Sequence, residues 1–112
     1  MHRRTLGVAV FLLVLPFTTA LAEVVMVKYR GPVDLKLFRC DTISRSSLVN
    51  RVCYDRRERY MLVSLNGIYY HYCEIDPGTV NRFLDADSMG RFFNANIKGR
   101  FDCRLLRMPP YK

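Results

Sequence analysis

Apolar and polar residues alternate in the middle of the chain as they do in sheet strands. Residues 48–54, 60–65 and 68–75 are three runs rich in β-branched and aromatic side chains, separated by short polar segments. Between the second and third runs, Asn66 and Gly67 form the strongest short hairpin signal, because both residues tolerate a positive φ. The pattern therefore predicts a three-stranded antiparallel meander.

The hairpin fixes the register of this predicted sheet. Leu65 should oppose Ile68, and a four-residue turn at 55–58 places Cys53 opposite Tyr60. Side chains alternate between the two faces of a strand. One face is mostly apolar and is expected to be the core face, with Leu48, Val52, Tyr54, Met61, Val63, Leu65, Ile68, Tyr70 and Tyr72. The other is mixed and should be either partly covered or a contact surface, with Val49, Arg51, Cys53, Tyr60, Leu62, Ser64, Tyr69, His71, Cys73 and Ile75.

The segment before the meander is less regular. Residues 23–30 are a β-rich run, which predicts a strand, and Gly31 followed by Pro32 should end it. We interpret residues 33–43 as an irregular or short-strand extension that Cys40 ties to the sheet.

After the meander the apolar period changes to that of helices. Asp76 is the predicted N-cap and Pro77 the first residue of one helix. Asp87 or Ser88 should cap a second helix, and Gly99 should end it. The apolar stripes of the two helices consist of Val80, Phe83 and Leu84, and of Met89, Phe92, Phe93 and Ile97.

The last part of the chain is predicted to add little. Residues 101–107 are a candidate short strand that carries Cys103, and Pro109 and Pro110 should close the domain and leave a loose tail. The predicted fold is α+β: a three-stranded antiparallel meander, extended by N- and C-terminal strands and packed on one face by two short helices.

The first 22 residues have the three parts of a secretory signal peptide. Arg3 and Arg4 supply the positive start, residues 6–17 are an uncharged apolar run, and Ala20-Leu21-Ala22 matches a cleavage pattern. The alternative is a membrane anchor, but the uncharged stretch of residues 5–22 is near the lower limit for spanning a bilayer. We predict cleavage after Ala22, export to the periplasm or medium, and no membrane span afterwards.

The chain has four cysteines, all after the predicted cleavage site: Cys40, Cys53, Cys73 and Cys103. An even number in a short exported chain predicts two disulfides. Cys53 and Cys73 should be two strands apart, too far to be bridged. Two connectivities remain, 40–53 with 73–103 or 40–73 with 53–103, and the first is preferred because Cys40 is closest in sequence to Cys53. No Cys-x-x-Cys pair is present, so no metal or other cofactor is predicted.

The chain is basic. Its formal net charge is +8, or +6 once Arg3 and Arg4 are removed. Such a surface attracts phosphate, carboxylate or an anionic envelope, although a charge of this size also serves solubility alone. The best candidate binding surface is cationic, with Arg91, Lys98, Arg100, Arg104 and Arg107 against the single acid Asp102. A second candidate is the mixed sheet face, where Arg51, Tyr60, Tyr69 and His71 could contact an aromatic or anionic ligand.

Three stretches in order resemble the KTSC domain, which occurs at the C-terminus of some lysyl-tRNA synthetases and as single-domain bacterial proteins. They are residues 46–55 (SSLVNRVCYD), 70–72 (YHY) and 88–94 (SMGRFFN). After the predicted signal peptide at 1–22, we expect an N-terminal extension at 23–45, a KTSC-like domain at 46–107 and a tail at 108–112. The export signal, the extension and the four cysteines depart from the usual pattern of the family. It implies structural roles for the motif residues Tyr54, Asp55, Tyr70, Tyr72, Gly90, Phe93 and Asn94.

Three functions follow from these observations. RNA binding has been suggested for the family, but an export signal argues against it, because the tRNA pool is cytoplasmic. We therefore expect a non-catalytic exported module that binds an anionic partner, either nucleic acid, an envelope polymer or an acidic protein. The alternatives are a small secreted hydrolase that uses His71 with a carboxylate such as Glu74 or Asp55, and a structural accessory protein of the cell envelope.

Overall fold

A computed structural model describes Gly7 and residues 21–111. Six strands and two α-helices make up this part of the chain. The strands are β1 (Val24–Val27), β2 (Gly31–Asp34), β3 (Arg39–Thr42), β4 (Val49–Asp55), β5 (Tyr60–Leu65) and β6 (Ile68–Tyr72). The helices are α1 (Pro77–Asp85) and α2 (Met89–Asn96), and a 3₁₀ turn at Leu35–Leu37 joins β2 to β3.

The strands form one mixed sheet in the order β2-β1-β6-β5-β4-β3. The predicted meander is its centre, and β5 and β6 have the predicted register, with Leu65 opposite Ile68. All neighbours are antiparallel except β1 and β6, which are parallel. The predicted extension of the meander by N-terminal strands is present, and the segment before the meander contributes three of them. Gly31 and Pro32 were predicted to end the strand before them, and they also begin β2.

The predicted register of β4 against β5 was wrong by two residues. Cys53 lies opposite Leu62 rather than Tyr60. The reason is that Asp55, predicted to begin the turn, belongs to β4 and pairs with Tyr60, so the turn begins at residue 56. A shift of two leaves each side chain on its predicted face. Val49 is an exception: an irregularity between Val49 and Arg51 turns it to the helix side, where it is fully buried.

The two helices cover the apolar face of the sheet, as predicted. Asp76 and Ser88 are their N-caps, and their side chains accept hydrogen bonds from the backbone N–H groups of Thr79 and Arg91. The core between helices and sheet contains Val49, Val52, Met61, Val63, Ile75, Val80, Phe83, Met89, Phe93 and Ile97. Ile68 was predicted to belong to it but is 47% exposed, because it lies at the end of the hairpin.

The mixed face of the sheet is covered as well. Val25, Val27, Val33 and Leu35 from the N-terminal extension form a second core with sheet residues such as Leu62. Both disulfides contribute to this core. Cys40–Cys53 joins the neighbouring strands β3 and β4, and Cys73–Cys103 joins the end of β6 to the C-terminal segment. These are the pairings that the sequence analysis preferred. The N-terminal extension therefore packs over the mixed face of the sheet and covers it.

The C-terminal segment forms a turn and a packed strap instead of a strand and a loose tail. Residues 103–105 are a turn. Pro109 is buried, and its carbonyl accepts a hydrogen bond from Arg30 at 2.6 Å. Tyr111 donates a hydrogen bond to the buried carboxylate of Asp55, also at 2.6 Å. Phe38 and Tyr60 pack on the Tyr111 ring, with centroids 5.1 and 5.5 Å away, so the end of the chain closes the second core.

The predicted signal peptide at 1–22 lies outside the described residues, except for Gly7, Leu21 and Ala22. Within residues 21–111, no helix is long and apolar enough to cross a membrane. Two disulfides are compatible with an oxidising, exported location.

Candidate functional site

An open cleft of about 370 Å³ lies where the end of β6 meets the turn between β1 and β2 and the segment after α2. We call it the tyrosine–arginine cleft. Its walls combine three tyrosines with two arginines, one histidine and one carboxylate. The lining residues are Tyr29, Tyr70, His71, Tyr72, Gly99, Arg100, Asp102, Cys103 and Arg104.

The parallel pairing of β1 with β6 places the first wall. Val27 pairs with Tyr69, and the backbone N–H of Lys28 donates to the Tyr69 carbonyl at 2.8 Å. The next residue, Tyr29, has a φ of 69° in the turn to β2, and its side chain is 83% exposed. The Lys28 ammonium lies 5.4 Å from the centre of the Tyr29 ring and 5.7 Å from that of Tyr70. This wall is therefore aromatic and positively charged.

The segment after α2 supplies the opposite wall. The Cys73–Cys103 disulfide and a hydrogen bond from the Cys73 N–H to the Phe101 carbonyl, 2.8 Å long, hold this segment against the end of β6. Arg104 forms an ion pair with Asp102 at 2.7 Å, and its side chain remains 88% exposed. Hydrogen bonds from Arg104 lower the pKa of Asp102 to about 2, so this acid stays charged.

His71 and Tyr72 form the inner side of the cleft. The Tyr60 hydroxyl lies 2.8 Å from His71 Nδ1. Burial lowers the pKa of His71, and the nearby Arg30 cation lowers it further, against the opposing effect of Asp102. Burial also raises the pKa of Tyr72 to about 12. Near neutral pH both side chains are therefore held in their uncharged forms.

Arg30 provides positive charge behind the cleft. Its guanidinium lies between two aromatic rings, 5.1 Å from the centre of Tyr60 and 5.1 Å from that of Tyr111. Because it donates to the buried Pro109 carbonyl, it also fixes the strap. Arg30 is thus a structural cation that adds to the positive potential at His71.

The structure divides the predicted cationic surface. Arg100 and Arg104 line the cleft, but Arg91 and Lys98 are exposed on and just after α2 and do not line it. Arg107 forms an ion pair with Glu58 at 2.7 Å, on the turn between β4 and β5. Only part of the predicted run therefore surrounds one concave site.

The second predicted surface is not a fully open stacking face, because Arg51, Tyr69 and His71 are only partly exposed and Tyr60 is covered. Tyr60 is fully buried beneath the strap, so its ring cannot stack on a ligand. Arg51 donates to Glu23 at 2.9 Å and to the Tyr69 hydroxyl at 3.3 Å. From this set, the cleft contains only His71.

Several residues of the KTSC-like sequence motifs make contacts that stabilise the fold. Tyr54 donates to the Ile75 carbonyl at 2.7 Å, and Asp55 accepts from the N–H groups of the turn that follows it. The Tyr72 and Phe93 rings pack edge to face, Gly90 lies against Leu48, and Asn94 is exposed. Tyr70 was predicted in the core but is only half-buried, because it lies in the wall of the cleft.

Sequence reasoning missed two contributors to the cleft, Lys28 and Tyr29. Their only local signal was an aromatic residue beside cations before Gly31, which is common in turns. No cluster of three metal-ligating side chains occurs among residues 21–111, and the cleft offers one histidine and one carboxylate already bound by arginine. Its chemistry suits recognition of an anion with aromatic or apolar parts.

The chain resembles proteins of one family. No curated protein matches it. A crystal structure of a KTSC domain protein from Yersinia pestis is similar, with 29% sequence identity and a TM-score of 0.55, over 58% of this chain and 92% of that one. The family model of the KTSC domain matches residues 45–101, which include β4 to α2 and the inner wall of the cleft. The chain therefore belongs to the KTSC domain family.

Proposed function

We propose that the chain is a non-catalytic, exported binding protein that holds an anionic polymer in the tyrosine–arginine cleft. The observation that carries this proposal is the convergence of Arg100 and Arg104 with the rings of Tyr29 and Tyr70 in one concave site. A volume of about 370 Å³ falls within the range of small-ligand pockets, which suits one repeating unit of a polymer.

The charges of the cleft favour phosphate or carboxylate groups. Arg100 and Arg104 line the cleft and Lys28 lies beside its tyrosines, which gives three cations, and Asp102 offsets one of them. Guanidinium groups bind phosphate and carboxylate through paired N–H donors, and exposed rings stack on planar or apolar parts of a ligand. A polymer whose repeating unit carries one anion beside a ring would use both features.

Catalysis has less support. A histidine that acts as a general base is commonly oriented by a carboxylate hydrogen-bonded to one of its ring nitrogens. His71 Nδ1 is instead engaged by Tyr60, and Asp102 is engaged by Arg104. Of the carboxylates considered in the sequence, Asp55 lies buried under Tyr111 and Glu74 is exposed beyond the end of β6. The hydrolase alternative predicts turnover that disappears in His71→Ala.

The test is a binding titration of the oxidised, exported chain. Fluorescence anisotropy would be measured with a labelled single-stranded oligonucleotide and with a labelled uronic-acid polymer, each at several salt concentrations. Arg100→Gln should weaken binding and reduce the slope of log K against log salt by about one unit. Tyr70→Ala should weaken binding at every salt concentration by roughly 5- to 150-fold, the value of one lost stacking contact.

Arg91→Gln is the matched control, because it removes an equally exposed arginine outside the cleft. It should leave affinity and salt slope nearly unchanged. If Arg91→Gln reduces the slope as much as Arg100→Gln does, the interface is the α2 surface and the cleft proposal fails. The polymer that binds more tightly identifies the anion, and binding to neither one would reject the proposal.

A further inference from the structure

Three apolar side chains project from the surface just after the cleft. In the segment 104–108, which we call the apolar loop, Leu105 is 84% exposed, Leu106 36% and Met108 46%. Scattered exposed apolar residues are ordinary, but a contiguous group is typical of an interaction surface. Neither core of the protein contains these three residues, so folding does not account for them.

The apolar loop is fixed at both ends. At its start, Cys103 is bonded to Cys73, and the N–H groups of Leu105 and Leu106 donate to the Asp102 carbonyl at 3.0 Å. At its end, Pro109 is buried and hydrogen-bonded to Arg30. The two anchors hold the leucines outward, so little conformational entropy would be lost when a partner covers them.

Exposed cations lie within and beside the apolar loop. Arg104 and Arg107 lie within it, and their side chains are 88% and 60% exposed although each contacts one acid. Arg100 is exposed on the adjoining wall of the cleft. Tyr29, which lines the cleft with Arg104, is 83% exposed. An exposed apolar segment with arginines and a tyrosine beside it has the composition of segments that lie in a membrane interface.

We propose that the apolar loop docks the protein on an anionic phospholipid surface. Leu105, Leu106 and Met108 would enter the boundary between headgroups and acyl chains, and Arg104 and Arg107 would contact the lipid phosphates. Exposed apolar side chains suit the apolar boundary of a lipid surface, and the positive charge of Arg104 and Arg107 complements an anionic one. This inference goes beyond the cleft's ligand, because the inserted side chains lie outside the cleft.

Vesicle co-sedimentation of the exported chain tests the proposal. Neutral phosphatidylcholine vesicles would be compared with vesicles that also contain phosphatidylglycerol, whose anionic surface attracts basic segments. Binding should require the anionic lipid. Leu105→Ser should weaken it about tenfold or more, from the lost burial of one leucine. Arg107→Gln should weaken it about fivefold, the value of one cation near an anionic surface.

Leu37→Ser is the matched control, because Leu37 is 62% exposed in the 3₁₀ turn, outside the apolar loop. It should bind vesicles as the unaltered chain does. Equal loss in both leucine variants, or no binding to anionic vesicles, would overturn the proposal. If size-exclusion chromatography shows dimers that Leu105→Ser dissociates, the loop is a self-association surface and the proposal is also overturned.

The two proposals can fail separately. A chain that binds a soluble polymer but not anionic vesicles would retain the cleft function and reject lipid docking. A chain whose vesicle binding survives Tyr70→Ala but not Leu105→Ser would support lipid docking, whatever the polymer titration shows.

Discussion

Replacing Tyr111 tests whether the C-terminal strap holds the second core closed. Tyr111→Phe removes only the hydroxyl that donates to Asp55, whose carboxylate is 3% exposed. A hydrogen bond to a charged group contributes about 1.5–3 kcal/mol, so the free energy of unfolding should fall by about that amount. Tyr111→Ala also removes ring contacts with Phe38, Tyr60 and Arg30 and should cost about 3–5 kcal/mol in all.

The assay is urea unfolding of the oxidised protein at neutral pH, followed by circular dichroism. Each kcal/mol should also lower the midpoint of thermal unfolding by about 4–8 °C in a domain of this size. Tyr29→Phe is the control, because Tyr29 is 83% exposed and the change should stay within about 0.5 kcal/mol. A Tyr111→Phe variant as stable as the control would mean that the strap does not rest on Asp55, and the reasoning would be wrong.

Three further predictions concern the cleft, the disulfides and export. Burial in the folded state lowers the pKa of His71 from 6.5, so the unfolded chain takes up this proton first as the pH falls. The free energy of unfolding should therefore decrease as the pH drops below about 6.5. His71→Asn should remove this dependence in urea titrations at pH 5–8. Replacing Cys73 and Cys103 together by Ser should lower the free energy of unfolding by about 2–4 kcal/mol. The helix content measured by circular dichroism should change much less. Intact mass of the exported protein should place its N-terminus at Glu23, and a species that retains Met1 would contradict cleavage.

Local sequence signals predicted the parts of the fold that depend on neighbouring residues. Asn66 and Gly67 fix the β5–β6 hairpin because a two-residue turn allows one register. Asp76 and Ser88 identify the helix starts because their side chains accept backbone hydrogen bonds there. The turn between β4 and β5 has no comparable signal, since Arg59 takes a φ of 50° without being Gly or Asn.

The rest depends on contacts between distant residues. Nothing near Val27 indicates that it pairs in parallel with Tyr69, yet this pairing brings Tyr29 into the cleft. Likewise, Tyr60 looked like an exposed ring because its face of the sheet is mixed, but Phe38 and Arg30 from the N-terminal extension and Tyr111, 51 residues later, all pack against it. Arg100 and Arg104 were predictable from charge, but their placement with Tyr29 in one cleft depends on the segments before and after the KTSC match.

The extensions also distinguish this chain from its structural relative. The similarity covers 92% of the Yersinia pestis chain but 58% of this one, and the family match ends at residue 101. Tyr29, Asp102 and Arg104 lie outside that match, whereas Tyr70 and Arg100 lie inside it. Segments outside the KTSC match therefore complete the cleft, and we expect the proposed binding to depend on them.

The most direct test of the central claim is a titration of the ¹⁵N-labelled, oxidised chain with the anionic polymer that binds most tightly, followed by NMR. Binding in the cleft predicts that the amide signals of Tyr29, residues 70–72 and residues 99–104 shift, with small changes in α2. Shifts confined to Arg91 and the surface of α2, or spread evenly over the exposed arginines, would contradict it.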